Sequence, residues 1–477
     1  MNKKIENPDS LYTQQIKKLL DEVYPNDTSA PSIYADARHF YTLTPSLLLH
    51  IRETEEQLAS AMERDETGPQ VAELHIKLKK SRQKLEDERQ ARIERINTVS
   101  RTIISLCEAD NYDETQLLSA KFLGTLMLLT QGTAPGFARF HQRLKPLYKA
   151  VLILRLVDKL IQDESISHPY LALYRPSLSR MNGDRYWRDK WEKELAIPLI
   201  SAALLQDIGL QHPDAQHILV GENRDENEFR LLAEGQRKAL LKLNFLHTMN
   251  YLKRGLGMPT YVGVDVEERH RFNQLHEAAN LFREKLMHDA FVSKSGIGEL
   301  LKVPQIYVSI ILSTKSDYTR KELPKGYLLI EQLAKKGGLN NKLAEAFIQI
   351  VGYFPQGFGI AFIPENERGE EKNQFEYAIV NQLNPKHPAE PHCRVVSRNL
   401  NYTTSGPDEV VSKSRNLYFP ANQKKLMRIG RDRLQEIMSQ LKSNFNADSV
   451  DQLAPPWWEP ADFFADKKHQ NLWKKGN

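Results

Sequence analysis

Apolar residues recur at three- and four-residue spacing along most of the chain, and short alternating runs replace that pattern after Gly352. The first such stretch, Leu11–Val23, reads as a short amphipathic helix between Pro8 and Pro25. Pro31 adds another break to this N-terminal segment, residues 1–44. Past Pro45, residues 47–62 read as a polar helix, which Thr67-Gly68-Pro69 interrupts. Residues 71–107 then predict a long helix rich in Lys, Arg, Glu and Gln. Val71, Leu74, Leu78 and Leu85 form one stripe, and Ile93, Ile96, Val99 and Ile103 continue it out of phase. Two helices about a Gly-Pro turn make a helical hairpin or short coiled coil over residues 45–115. As a rod it would carry dimerisation or partner docking. As a solvated pair packed on its own domain it would carry neither, and the sequence fits both readings.

Residues 116–165 are apolar and helical, and a polar stretch containing Arg and Tyr follows over 163–193. Helical patterning resumes over 193–205, 226–255, 267–287 and Gly326–Lys335. Short strands are expected at 360–363, 377–380 and 394–396, separated by polar turns. Residues 421–443 return to helix, and a Pro-broken tail in the segment 421–477 places Trp457-Trp458 before Phe463-Phe464. That aromatic tail either tucks back onto the domain or anchors a partner. Intramolecular docking is the expectation.

The 477 residues suffice for two or three domains. A hydrophobic share of 40% beside 27% charged residues is ordinary for a globular protein. The net charge of +5 is spread along the chain rather than concentrated in a stripe, which argues against nucleic acid as a partner. The basic stretch 77–101 has acids interleaved and reads as a solvated helix. Cys107 and Cys393 are too few and too far apart for a disulfide framework or a cysteine zinc site. The polar N-terminus shows no secretory h-region. Residues 196–205, interrupted by Pro198 and Ser201, are too short to span a bilayer. A cytoplasmic protein without membrane insertion is expected.

Candidate chemistry comes from three stretches in fixed order. Ala202-Ala203-Leu204-Leu205-Gln206-Asp207-Ile208-Gly209 resembles the motif A-x-L-L-H-D-I-G-K, with Gln206 in place of the His and Leu210 in place of the Lys. Gln305-Ile306 and Arg320 keep the spacing of R-I-x-x-x-x-D-x-x-D-A-L-x-x-x-R-P-Y, with Ile311 where a metal-ligating Asp belongs and Asp317 out of phase. Gly338 to Phe347, followed by Gly352-Tyr353-Phe354-Pro355-Gln356-Gly357, resembles a helix and the G-x-Y-P-x-G turn into a small β tail. More weakly, Asp265-Val266-Glu267-Glu268-Arg269 lies on Q-H-H-E-R without either His, Gln236 stands near the H-P-x-x-G position, and His141 matches an early ligand. Residues from about 137 to 419 thus resemble the HD-GYP domain, the bacterial cyclic-di-GMP phosphodiesterase of the HD superfamily. The resemblance implies a mainly α fold: an HD-superfamily helical bundle over 116–420 with a small β-strand tail, preceded by the helical hairpin.

In that family two or three divalent ions lower the pKa of a bridging water and neutralise the phosphate under attack. Imidazole and carboxylate ligands hold such ions, whereas Gln, Val and Ile do not. The residual metal candidates are His141, Asp207, Glu267 and Glu268, and Arg320, Asp207 and Gln206 remain as ligand-binding candidates. Asp207 at a helix end also suits a cap or salt bridge, and His141 suits packing. His212 and His217, flanking Pro213-Asp214, read as a polar loop. The resemblance therefore implies a non-catalytic HD-GYP-like signalling or scaffold protein without a cofactor. It would bind a protein partner, with cyclic di-GMP as a further candidate ligand and a homodimer through the N-terminal helices as a further candidate assembly. The alternative is a metal-dependent cyclic-di-GMP phosphodiesterase using manganese or iron in a non-standard ligand set.

Overall fold

The computed structural model describes residues 9–26, 30–64, 68–130, 136–292, 295–425 and 457–473. It is mainly helical with a small sheet. Helix α1, Leu11–Val23, starts at Ser10, whose hydroxyl accepts the Thr13 amide, and buries Ile16, Leu19, Leu20 and Val23. Helix α2 runs Ile33–Glu63, so the boundary expected between residues 44 and 45 falls inside a helix. Pro45 forfeits one backbone hydrogen bond there. Burial of Ile33, Tyr34, Ala37, Phe40, Tyr41 and Thr44 along one face carries the helix through it.

Helix α3, Pro69–Cys107, returns antiparallel against α2. The hairpin closes on Ile51, Leu58 and Leu78, with Leu47, Val71, Leu74 and Leu85 packed around them. The phase shift along α3 now has a physical cause. Its first stripe faces α2, whereas Ile96, Val99 and Ile103 turn into the main core.

Helices α4, Tyr112–Leu128, and α5, Phe137–Gln162, follow, and α5 is buried along nearly its whole length from Leu144 to Ile161. Residues 163–193 fold as α6, Pro169–Ala172, a 3-10 turn Arg175–Met181, and α7, Arg185–Trp191. A fully buried charge network ties this stretch to the core. Arg180 donates from Nε to Glu108 at 3.0 Å and from Nη2 to both Asp158 oxygens at 2.8 Å. Arg155 completes it against Glu108 and, at 3.1 Å, Asp158. A π turn, Glu192–Ala196, leads into α8, Ile197–Leu205, which packs on α5. Then come α9, Pro213–Val220; α10, Glu234–Asn250, ending in a second π turn, Tyr251–Leu256; and α11, Val266–Val292. Helices α12, Glu299–Ile311, α13, Gly326–Lys335, and α14, Asn341–Val351, complete the bundle, with α12 and α14 against α5.

Gly352, at φ +64, ends α14 and turns the chain into an antiparallel sheet. Strands β1 Gly359–Phe362, β2 Glu376–Val380, β3 His392–Val395 and β6 Asp408–Val410 lie in that order. Ile379 pairs with both Gly359 and Arg394. Strands β4 Ser397–Arg398 and β5 Asn401–Tyr402 form a separate pair. The aromatic tail packs back onto this sheet: the Trp458 indole donates to Ala378 O at 3.1 Å and stacks on Tyr377, while Phe463 and Phe464 are buried. The helix expected over 421–443 lies outside the described residues except for a short turn, Pro420–Gln423. Among the described residues no helix is long and apolar enough to cross a membrane.

Candidate functional site

Helix α8 is apolar and buried from Pro198 to Leu205, and at Asp207 the backbone leaves it for a 3-10 turn, Ile208–Gln211. Gly209 is required there, because a Cβ would lie 2.2 Å from Asn244 O on α10. Thr248 accepts the Gly209 amide at 3.0 Å, and Asn244 donates to Gln206 O. Glycine thus lets α10 seat directly beneath the residues that the HD-like motif singles out.

The Lys149 ammonium from α5 occupies the face of this motif. It donates to Gln206 Oε1 and Asp207 Oδ2, both at 3.1 Å, with its side chain 1% exposed. Burial lowers its pKa, and Asp207 opposes that shift. Lys145, one turn earlier, donates to Gln142 and is pushed down to about 8, mainly by burial, with Asp207 raising and Lys149 lowering it. Gln305 Nε2 also reaches Asp207, at 3.5 Å. Asp207 is therefore a salt-bridge partner, and Gln206 spends its carbonyl on the same ammonium.

The other metal candidates lie apart. His141 is fully buried, with Nδ1 on Ser313 O at 2.7 Å and its ring edge-on to Phe137 and Tyr318. Burial holds its pKa down to about 4. Glu267 and Glu268 are exposed on α11, where the Glu268 carboxylate accepts Tyr261 OH, and Gln236 is exposed at the start of α10. Among the described residues, His141, Asp207, Glu267 and Glu268 form no common metal-sized cluster. Arg320, a ligand-binding candidate from its motif spacing, is not a free cation. It is 4% exposed, paired with Glu459 of the tail, and donates to Met127 O at 3.0 Å and to Thr130. It clasps the tail to the end of α4.

The structure does assemble a cluster that the sequence reading treated as a polar loop. His212, Asp214 and His247 bring ligand-type atoms within 4.8 Å of one another. The two imidazoles stack with centroids 3.4 Å apart and planes 6° from parallel, edge-on to Tyr41. An ion midway between such planes would lie about 1.7 Å off each, against a zinc–imidazole bond of roughly 2.1 Å that wants the ion in the ring plane. The lone pairs run parallel rather than converging. As arranged, the cluster holds neutral rings: His212 Nδ1 accepts the Asp214 amide, and burial lowers both imidazole pKa values, against the pull of Asp214. His247 could have been found from its spacing, since it shares a face of α10 with Asn244 and Thr248, which anchor the Asp207 turn.

His212 also lines a cleft of about 780 Å³ at the root of the hairpin. Its walls are Pro45, Leu48, Leu49 and Arg52 of α2, Arg82, Leu85, Glu86, Arg89 and Arg92 of α3, and Asn250 and Arg254 at the end of α10 and in its π turn. Thr44 and Phe40 lie at the base of the α2 wall. No family model, curated protein or solved structure matches the chain.

Proposed function

We propose that this protein is a non-catalytic, HD-GYP-like signalling or scaffold protein of the cytoplasm that acts by binding a protein partner. The observation that carries this reading is the buried Lys149 ammonium seated against Asp207 and Gln206. It supplies one positive charge at the point where the resembled family places metal. A divalent ion on Asp207, within about 5 Å of that ammonium, would meet roughly 6–7 kcal/mol of repulsion at an effective dielectric of about 20. Asp207 thereby holds a structural ion pair with Lys149, which Gln206 supports by accepting a hydrogen bond, instead of a catalytic ion. Burial of Arg320 removes the guanidinium on which cyclic-di-GMP recognition was expected, so the reading narrows to a protein partner. The hairpin offers the docking surface, with Leu48, Leu49, Met62 and Ile76 exposed along it.

The test is cyclic-di-GMP hydrolysis by the full chain with added manganese, alongside metal analysis of the purified protein. The expected result is no turnover above blank and no stoichiometric metal. Manganese-dependent turnover that Asp207→Ala abolishes would overturn the scaffold reading in favour of the phosphodiesterase.

A further inference from the structure

The cleft at the hairpin root differs from the Asp207 centre in being open and strongly cationic. Five guanidiniums line it, from Arg52, Arg82, Arg89, Arg92 and Arg254, against a single carboxylate among the lining residues, Glu86. Three of the five have a carboxylate partner, Arg92 at the longest distance, 4.0 Å from Glu88. Arg82 pairs with Glu55 at 2.6 Å, and Arg89 pairs with Glu86 while donating to Leu256 O at 3.2 Å. That pairing holds the Glu86 carboxyl down to about 2, so it stays charged and bound to Arg89. Arg52 and Arg254 are exposed, and neither has an ion-pair or hydrogen-bond partner among the described residues.

The base of the cleft adds a second, independent observation. Arg92 is 3% exposed, lies over the Phe40 ring at 5.4 Å and donates from Nε to Gly255 O at 2.8 Å. Its Nη2 has no partner among the described residues, nor has the buried hydroxyl of Thr44, which lines the same cleft. Glu88 balances the Arg92 charge only at 4.0 Å, and the unused Nη2 donor remains costly. The π turn Tyr251–Leu256 brings both the Gly255 carbonyl and Arg254 to this place, and such turns recur at functional sites. Pro45, Leu48, Leu49 and Leu85 supply the apolar part of the lining. The volume suits a small organic ligand.

We infer that this cleft binds an organic phosphate ester, its phosphate held by Arg52 and Arg254 with the buried charge of Arg92 adding to their field, and its carbon body laid on Leu48, Leu49 and Leu85. Guanidinium forks match phosphate oxygens bidentately, and the apolar wall favours an ester over the bare ion. The site shares no residue with the Asp207 centre, but Leu48 and Leu49 also belong to the hairpin face offered to a protein partner, so ester and partner would compete there.

Calorimetry on the full chain tests it with three probes: inorganic pyrophosphate, ATP, and dihexanoyl phosphatidic acid. Pyrophosphate is expected to bind, more weakly as salt rises, and at least one of the two esters should bind about tenfold tighter or more. Which ester wins identifies the source as nucleotide or lipid headgroup. The pair Arg52→Ala and Arg254→Ala, both exposed and so spared a folding defect, should together weaken ester binding by at least about tenfold, as expected for lost charge-assisted hydrogen bonds. Arg398→Ala, an exposed cation on β4, should leave it unchanged. Failure of all three probes to bind, equal affinity for pyrophosphate and both esters, or equal losses in the cleft and Arg398 variants would each overturn the proposal.

Discussion

Replacing Arg180 with methionine removes one of two guanidiniums from a site where two carboxylates are fully buried. In the native chain Glu108 and Asp158 balance Arg155 and Arg180. After Arg180→Met, four hydrogen bonds from the guanidinium vanish, three to carboxylates and one to Ser177 O, and one carboxylate is left without its share of positive charge. Breaking a buried pair in this way costs about 3–5 kcal/mol. Protonation caps the penalty: neutralising an aspartate of ordinary pKa near 3.8 at pH 7 costs about 4.4 kcal/mol, at 1.36 kcal/mol per unit. Burial already raises the Asp158 pKa in the native chain, so Asp158 is the group that takes up the proton.

The cap falls with pH, to about 1.6 kcal/mol at pH 5. The sign follows directly. A carboxylate whose folded pKa lies above its unfolded value binds more protons in the native state, so the variant gains stability as pH falls toward the unfolded pKa. Urea unfolding should therefore show a loss of about 3–4 kcal/mol at pH 7 that shrinks to under about 2 kcal/mol at pH 5. Trp191 lies under the Arg180 guanidinium, 4.0 Å from its ring centroid, and gives a local fluorescence reading beside the helical dichroism. Asp158→Asn in the Arg180→Met background should recover much of the loss. A deficit below about 1 kcal/mol, or one independent of pH, would refute the view that uncompensated buried charge sets the cost.

Two further expectations follow from the same structure. Because His141 titrates near 4 in the fold and at its ordinary value when unfolded, its stabilising contribution is complete above about pH 6.5 and is lost as pH falls toward 4, a change of about 3 kcal/mol. His141→Leu should remove that part of the slope in urea melts across this range, and an unchanged slope would assign it elsewhere. Arg320→Met should release the tail at a cost of about 3 kcal/mol, read as faster tryptic cleavage at Lys467 and Lys468 and a red shift of Trp458 emission. Wild-type cleavage rates would show that Arg320 is no clasp.

Local pattern was legible wherever one face of an element decided its burial. The Leu11–Val23 and Gly326–Lys335 helices and the β1–β2 strands fall where their apolar spacing puts them, because neighbouring residues alone set those faces. Pro45 misled, since the loss of one hydrogen bond is visible in sequence while the buried face that outweighs it spans Ile33 to Thr44. Helix α12 hid behind Pro304 and a β-branched composition. The site was less legible still. Asp207 could be singled out, but its partner Lys149 lies 58 positions away, and the meeting of His212 with His247 depends on how α10 packs under Gly209. Arg320 kept its motif spacing and lost its freedom to Glu459, a residue 139 positions on. Pairings at that range are set by packing, which no window of spacing reads.

Gln470 accepts the Ser10 amide at 2.7 Å and the Thr13 hydroxyl at 2.9 Å, the latter across 457 positions. At roughly 5 to 20 residues per second, a ribosome needs roughly 25 to 90 s to travel from one partner to the other. Throughout that interval the first turn of α1 waits with its polar groups on water, however early its apolar side has settled. The bond to Gln470 thus works as a clock set by translation. Slowing elongation late in the message would prolong the vulnerable period without altering any residue of the finished molecule.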